Sequence, residues 1–275
     1  MAKKLSAEDR HCLTQALTSW ESWREGPEKL PEVITQFGGE SNLSFVVSDG
    51  AMHWVLRLNN PQRDIGISRD NERLALEAAH EAGISPLPSF HSSELLITPL
   101  LVGAQATLEN LPQIGNLFSR VHSLAVELTP LDLLQHLKNY YEKVTPEPLL
   151  RDCYQHIVAL YPKDNVESRP CHNDCLLPNM IASKNGLQLI DWEYAAATDP
   201  AYDLAVFSSS YGLSRARMAL LLSTYDPDGD SHIEGLIARI EYYEKYYQLI
   251  EILWWRIRGQ RMKGRLEALV LSLAK

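Results

Sequence analysis

The chain has 275 residues, which is long enough for one or two domains with a substantial hydrophobic core and no need of disulfide bonds. Its hydrophobic content of 45% and charged content of 22% are typical of an ordinary globular protein. The net charge of −9 argues against nucleic acid or an anionic membrane as a partner, because both attract basic surfaces.

The four cysteines, at positions 12, 153, 171 and 175, form no recognisable disulfide framework. Cys171, His172 and Cys175 lack a fourth ligand at a spacing typical of zinc sites, so we expect reduced thiols. The stretch MAKKLSAEDR has no apolar region after its basic residues, so no signal peptide is expected. No apolar run approaches the roughly 18 residues of a membrane-spanning helix. A cytoplasmic protein is expected.

The first third of the chain alternates short apolar segments with turn residues. This pattern predicts helices at 6–23 and 70–82, and strands at 33–37, 43–47, 52–58, 86–90 and 95–98. The strands would form a five-stranded antiparallel sheet that packs with one helix. Residues 1–98 are therefore predicted to be one lobe.

Residues 99–103 are predicted to form a connector, and residues 104–275 are predicted to form a second, mostly helical lobe. Amphipathic stripes predict helices at 111–124, 131–144, 148–160, 214–225 and 231 to about 258. A short hairpin interrupts them, because two apolar runs flank Lys184-Asn185-Gly186.

The segment before this hairpin carries the most informative motif. His172, Asp174 and Asn179 form H-x-D-x-x-x-x-N, and Asp191 follows the second strand of the hairpin. Phosphoryl transfer needs a carboxylate that orients and deprotonates a hydroxyl, and oxygen ligands that hold magnesium against the nucleotide phosphates. Asp174 suits the first role, and Asn179 and Asp191 suit the second. We call residues 172–179 the catalytic loop.

Two features of the first lobe suit nucleotide phosphates. Arg57 stands on a strand where a protein kinase places its phosphate-binding lysine, and arginine can grip phosphate in two places, although a strand arginine can also point to solvent. The pair Gly38-Gly39 lets backbone N–H groups approach phosphate, although hairpin turns also use glycine for steric reasons alone. An apolar crevice for a purine is expected from Val47, Val55, Leu101 and Ile190.

The last long helix carries an aromatic face. Tyr243, Tyr247, Glu251 and Trp254 or Trp255 recur at spacings of three and four residues. Aromatic rings with a carboxylate attract quaternary ammonium or thiazolium cations. A face packed in the core is the alternative.

The motifs HND, Asn179, LIDWEYA and DPAYDLA together resemble those of the choline/ethanolamine and thiamine kinases, in the aminoglycoside-phosphotransferase-like group of the kinase-like superfamily. The resemblance spans about residues 37–211. It implies an α+β, bilobal, protein-kinase-like fold, with an N-terminal antiparallel five-stranded sheet plus helix and a C-terminal, mostly helical lobe that carries the catalytic hairpin.

The resemblance also implies roles for individual residues. Nucleotide-binding candidates are Gly38, Gly39, Ser41, Asn42, Arg57 and Glu72, where Glu72 would pair with Arg57 and has Glu77 and Asp70 as competitors. His172 and Asp203 would support the catalytic loop, the latter by accepting backbone hydrogen bonds. His122 is expected to be packed and hydrogen-bonded.

The acceptor is less well specified than the reaction. Glu193 would tune the metal-binding aspartate or meet a substrate cation, and Tyr247, Glu251 and Trp254 are further candidates for substrate contact. The function expected is transfer of the γ-phosphate of ATP, with Mg²⁺, to the hydroxyl of a small cationic alcohol, with choline, ethanolamine or thiamine favoured.

Three alternatives remain at this stage. The chain could phosphorylate an aminoglycoside or another small alcohol, or it could be a catalytically inactive kinase-like binding protein. A protein kinase is disfavoured, because Trp192-Glu193 replaces Phe-Gly after Asp191 and no A-P-E motif follows. The sequence leaves the oligomeric state open.

Overall fold

The computed structural model describes residues 5–24, 26–38, 42–60, 65–162, 167–225, 233–262 and 264–273. Its strands are β1 Glu32–Gly38, β2 Leu43–Ser48, β3 His53–Leu58, β4 Phe90–His91, β5 Leu95–Pro99, β6 Ala104–Gln105, β7 Arg169–Cys171, β8 Met180–Ser183, β9 Gly186–Leu189 and β10 Ala196–Thr198. Its α-helices are α1 Ala7–Thr18, α2 Arg69–Glu81, α3 Leu111–His122, α4 Leu133–Tyr141, α5 Pro148–Ala159, α6 Pro200–Tyr211, α7 Arg215–Leu222, α8 Ile233–Ile257 and α9 Arg265–Leu273.

The N-terminal part confirms the predicted five-stranded antiparallel sheet, in the order β1-β2-β3-β5-β4. The predicted strand at 86–90 is wrong over most of its length, since β4 begins only at Phe90. Pro86 and Pro88 lack the N–H groups that a strand would donate, which explains the late start. The first helix also ends earlier than predicted, at Thr18, and a 3-10 turn follows it.

The two faces of this sheet have different roles. Phe45, Val47 and Trp54 point to the outer face, where they pack with Ala16 of α1. The expected place of Val47 in a purine crevice is therefore wrong, because successive side chains of a strand alternate between faces. Val46, paired with Val55, lies on the opposite, inner face.

The remaining core is built around α6 and α8, which pack along each other. Every residue of α6 from Pro200 to Ser208 is buried. Ala75, Leu76 and Ala79 of α2 belong to the same core, so this helix joins the sheet to the helical part. Helix α6 is thus a fixed internal support against which neighbouring loops can be held.

The predicted hairpin is confirmed as β8 and β9, which pair with Ser183 opposite Gly186. Gly186 has a φ of 99°, which favours glycine. Strand β6, which was not predicted, adds to β8. The connector passes so close to the hairpin that a Cβ at Gly103 would overlap the carbonyl oxygen of Ala182.

Across the part of the chain that the structure describes, no helix has the length and apolarity to cross a membrane. The four cysteines are free, as expected.

Gly115 lies in α3 where this helix meets the end of α7. A Cβ at this position would overlap the carbonyl oxygen of Leu221 and the hydroxyl of Thr224. We expect Gly115→Ala to lower the free energy of unfolding by about 1–3 kcal/mol, because the two helices must separate.

The matched control is Gly235→Ala at an exposed position near the start of α8, where a Cβ would meet only Arg239, at 3.7 Å. It should raise the free energy of unfolding by about 0.5–1 kcal/mol, since alanine favours the helix. Urea unfolding measures both variants. An unchanged stability in Gly115→Ala would contradict the close packing of α3 and α7.

Candidate active site

The start of the catalytic loop is bound to the buried carboxylate of Asp203. Its two oxygens accept the backbone N–H of His172 at 2.9 Å and of Asn173 at 2.6 Å. The Nε2 of His122 lies 3.1 Å from the same carboxylate and must donate to it, because a carboxylate oxygen only accepts. His122 Nδ1 can then accept from the hydroxyl of Tyr225, 2.9 Å away. His122 is thus packed inside, within this network.

Asn173 holds the turn that follows. Its φ of 62° is in the left-handed region, which costs about 1–2 kcal/mol in most residues but is tolerated best by glycine and asparagine. The side chain offsets this cost by donating to the carbonyl of Tyr194 at 2.9 Å and accepting from the hydroxyl of Thr198 at 2.7 Å. This role of Asn173 was not predicted.

His172 connects the two aspartate-bearing segments. Its Nε2 donates to the carbonyl of Ile190 at 3.0 Å, and its Nδ1 accepts from the N–H of Asp174 at 3.3 Å. This pattern requires a neutral ring, and burial lowers the pKa of His172 accordingly. The ring also packs edge-on against Trp192, with centroids 4.8 Å apart.

Asp174, near the start of the catalytic loop, and Asn179, at its end, contact each other. The Nδ2 of Asn179 donates to the backbone carbonyl of Asp174 at 3.0 Å and to its carboxylate at 3.1 Å. The amide of Asn179 is thereby oriented so that its Oδ1 is available as an acceptor.

Arg57 reaches Asp191 from β3. Its guanidinium is buried, which excludes the solvent-facing alternative. Nη1 donates to Asp191 at 2.7 Å, Nη2 forms an ion pair with Glu72, and Nε donates to Asn59 at 2.9 Å. Asp191 itself has a φ of 64°, so it too is held in the left-handed region.

Glu72 is completely buried in α2 and has three cationic or polar neighbours. Besides Arg57, Arg69 lies 2.8 Å and His91 3.6 Å from its carboxylate. Burial alone would raise the pKa of Glu72, but the charge of Arg57, reinforced by His91 and Arg69, lowers it to about 2. Of its predicted competitors, Glu77 instead pairs with Arg73 on the surface, at 3.0 Å. The contacts of Arg69 and His91 were not predicted.

Glu193 is buried and faces the sheet. Its carboxylate accepts from Nδ2 of Asn42 at 2.6 Å and lies 3.5 Å from Arg69. Burial and the neighbouring charge of Asp191 raise the pKa of Glu193 to about 7. Asn42, a predicted nucleotide ligand, is therefore connected to the segment after Asp191.

Of the other residues predicted for the nucleotide loop, only Gly38 is among the described residues. Gly38 is the last residue of β1. Gly39 and Ser41 lie outside the described residues.

A cavity of about 360 Å³, which we call the central cavity, brings most of these groups together. Its polar lining residues include Asn42, Ser44, Arg57, Asn173, Asp174, Asp191 and Glu193. Its other lining residues are largely aromatic, and we call them the aromatic wall: His136, Tyr140, Tyr194, Tyr202, Tyr247, Trp254 and Trp255, with Glu251 among them.

The aromatic face predicted on α8 is therefore divided between two environments. Tyr243 is buried in the core, whereas Tyr247, Glu251 and Trp254 line the central cavity. Two of these side chains also have partners of their own, since Glu251 pairs with Arg265 and the guanidinium of Arg258 lies 3.4 Å from the ring centre of Trp254.

A family model described as "Phosphotransferase enzyme family" matches residues 33–229, most of the chain. The chain belongs to this family. Protein LicA of Haemophilus influenzae is 24% identical over 212 residues, which cover 70% of this chain and 62% of that protein. The matched stretch thus spans less than two thirds of that relative. A thiamine kinase of Shigella boydii is 30% identical over 129 residues, 45% of this chain and 47% of that enzyme.

Solved structures confirm the kinase-like fold. The choline kinase LicA of Streptococcus pneumoniae superposes with a TM-score of 0.79 at 20% identity, over 98% of this chain and 99% of that one. A structure of LicA in complex with AMP gives a TM-score of 0.78 at 19% identity, over 98% and 99% of the two chains. The resemblance that the sequence motifs carry is confirmed for family and fold.

Oxygen donors at and beside the central cavity suit a magnesium ion, the metal that the sequence predicts. Asp191 and Asn179 offer the hard oxygen atoms that Mg²⁺ prefers. Burial, together with the charges of Asp191 and Glu193, raises the pKa of Asp174 well above its usual range. A divalent cation would offset this concentration of negative charge.

His136 lines the central cavity as a buried, neutral ring. Its Nδ1 has no hydrogen-bond partner in the described part of the chain, and a Cβ at Gly66 would lie only 2.5 Å from it. Burial lowers the pKa of His136 from 6.5 to about 4.

Protonation of His136 should therefore destabilise the fold as the pH falls. The difference between the two pKa values corresponds to about 3 kcal/mol in the free energy of unfolding. This stability is fully present above pH 6.5 and is lost progressively as the pH falls to 4. Glutamine has no ring to protonate. Over this pH range the free energy of unfolding of His136→Gln should therefore fall by up to about 3 kcal/mol less than that of the parent. Urea unfolding at pH 7 and pH 4 tests this, and equal losses in the two proteins would contradict it.

Proposed function

We propose that the chain catalyses ATP- and Mg²⁺-dependent transfer of the γ-phosphate to the hydroxyl of a small cationic alcohol. One observation carries this proposal: Asp174 and Asp191 lie with Arg57 at one cavity that also has an aromatic wall, and Asn179 is hydrogen-bonded to Asp174. Membership of a phosphotransferase family supports it.

The proposed roles follow from the chemistry of each group. Asp174 would orient the acceptor hydroxyl and take up its proton, and its raised pKa suits a general base. Asn179 and Asp191 would hold the magnesium ion, which when bound neutralises charge on the phosphates. Arg57, oriented by Glu72, would donate to the nucleotide phosphates.

The nucleotide loop remains a prediction for Gly38, Gly39, Ser41 and Asn42. The likeness to a LicA structure that contains AMP supports a nucleotide as the phosphate donor. His172 and Asp203 would hold the catalytic loop without touching the reactants.

The aromatic wall and the nearby carboxylates support a cationic acceptor. Tyrosine and tryptophan rings attract a quaternary ammonium or thiazolium group, and Glu251 or Glu193 would add negative charge. The cavity volume of about 360 Å³ lies near the lower end of the range for ligand pockets, about 300–1,000 Å³. Relatives that are a choline kinase and a thiamine kinase support choline, ethanolamine or thiamine.

The test is ADP release from ATP with Mg²⁺ across choline, ethanolamine, thiamine and kanamycin. We expect one cationic alcohol to stimulate release, and Asp174→Asn to lower turnover by about 10²–10⁴-fold, because the isosteric amide cannot accept the proton. Stabilisation of the fold by Mg²⁺–ATP should persist in this variant.

Two outcomes would contradict the proposal. Stimulation by kanamycin alone would replace the cationic alcohol by an aminoglycoside. Binding of Mg²⁺–ATP without turnover on any acceptor would favour the inactive, kinase-like binding protein.

A further inference from the structure

The catalytic loop is attached to α6 at a second point, after Asp174. The backbone N–H of Leu177 donates to the phenolic oxygen of Tyr211 at 2.8 Å. Leu177 is the first residue of the 3-10 turn Leu177–Asn179, so Tyr211 bonds the turn that carries Asn179. The first attachment, at Asp203, lies before Asp174.

The two attachments come from the same rigid element. Asp203 and Tyr211 are eight residues apart on α6, which corresponds to about 12 Å and to positions on one side of a helix. Since α6 is buried along most of its length, the distance between its two contacts is fixed. The helix therefore fixes the positions of the loop residues before and after Asp174.

Tyr211 is itself held in place. It is the last residue of α6, and Gly212 ends the helix with a φ of 57°. Its ring packs against Phe207 with centroids 5.0 Å apart, and burial raises the pKa of Tyr211, so the hydroxyl stays protonated.

The hydroxyl of Tyr211 meets a donor that helix geometry leaves unpaired. The first N–H groups of a helical turn have no partner within the turn, and Leu177 is buried. Without the phenolic oxygen this N–H would lose its partner, at a cost of up to about 1–3 kcal/mol, and the turn would be held less firmly. The same turn orients Asn179, whose Nδ2 contacts Asp174.

We propose that Tyr211 is a positioning residue, which fixes the amide of Asn179 relative to Asp174 and thereby strengthens magnesium binding. This rests on the proposed function, in which Asn179 is a magnesium ligand. It assigns a role in the site to a residue that lies outside the central cavity.

The test compares Tyr211→Phe, which removes only the hydroxyl, with Tyr242→Phe. The hydroxyl of Tyr242 also bonds a backbone group, the carbonyl of Ile157 in α5 at 2.9 Å, and neither residue belongs to the catalytic loop. The measurements are amide hydrogen exchange of residues 172–180 and calorimetric binding of ADP with and without Mg²⁺, with turnover as a third readout.

We expect Tyr211→Phe to accelerate exchange at the Leu177 amide and to weaken Mg²⁺-dependent ADP binding about tenfold, with binding of ADP alone unchanged. Turnover should fall by a similar factor, and Tyr242→Phe should resemble the parent in all three. Unchanged exchange, or faster exchange with unchanged Mg²⁺-dependent binding, would overturn the proposal. A parent that binds Mg²⁺–ADP but transfers phosphate to no acceptor would refute the proposed function instead, and the binding comparison would still decide the role of Tyr211.

Discussion

The buried carboxylate of Asp203 is the interaction on which the site depends. A carboxylate removed from water is costly unless its oxygens are hydrogen-bonded, and here they receive two backbone N–H groups and an imidazole N–H. Each such charge-assisted bond contributes about 1.5–3 kcal/mol. The carboxylate therefore stabilises the fold only while residues 172 and 173 keep their conformation. This conformation in turn fixes the position of the backbone at Asp174.

The sequence around Asp203 is arranged to present this carboxylate. Asp199 caps α6 by accepting the N–H of Ala201 at 3.0 Å, and Pro200 occupies the first helical position, where its missing N–H carries no penalty. The apolar residues on the remaining sides of the helix bury it against α8. The segment DPAYDLA thus combines a helix start, a buried helix and a single inward carboxylate.

A second network joins the sheet to this support. Arg57 of β3 contacts both Glu72 of α2 and Asp191 at the end of the hairpin. The two glutamates of the network differ in electrostatic environment: nearby cations lower the pKa of Glu72, whereas burial and Asp191 raise that of Glu193. Glu72 is consequently a fixed anion that orients Arg57, while Glu193 is closely coupled to the charge at Asp191.

Local patterns in the sequence account for the features that were predicted well. The hairpin, the catalytic motif and the helix that carries Glu72 depend on neighbours within a few residues. Leu43, Phe45 and Val47 alternate along β2, which puts them on one face, but this local pattern does not tell that α1 covers that face. That is why Val47 was assigned to the wrong face.

Other features depend on contacts between distant segments. Periodicity placed Tyr243 and Tyr247 on one face of α8 but could not tell that the first packs in the core and the second reaches the cavity. Arg69 and Tyr211 likewise acquire their contacts only when the chain folds, and the residue types around them carry no signal of it.

The most direct measurement of this account is the effect of Asp203→Asn on turnover and stability, with Asp152→Asn on the exposed side of α5 as the matched control. In Asp203→Asn, the NH2 group of the asparagine side chain would face a backbone N–H, so that two hydrogen-bond donors would meet. The account predicts at least about a 100-fold loss of turnover and a loss of about 3 kcal/mol in the free energy of unfolding, against less than about 0.5 kcal/mol for the control. An Asp203→Asn protein with parental turnover and stability would contradict it.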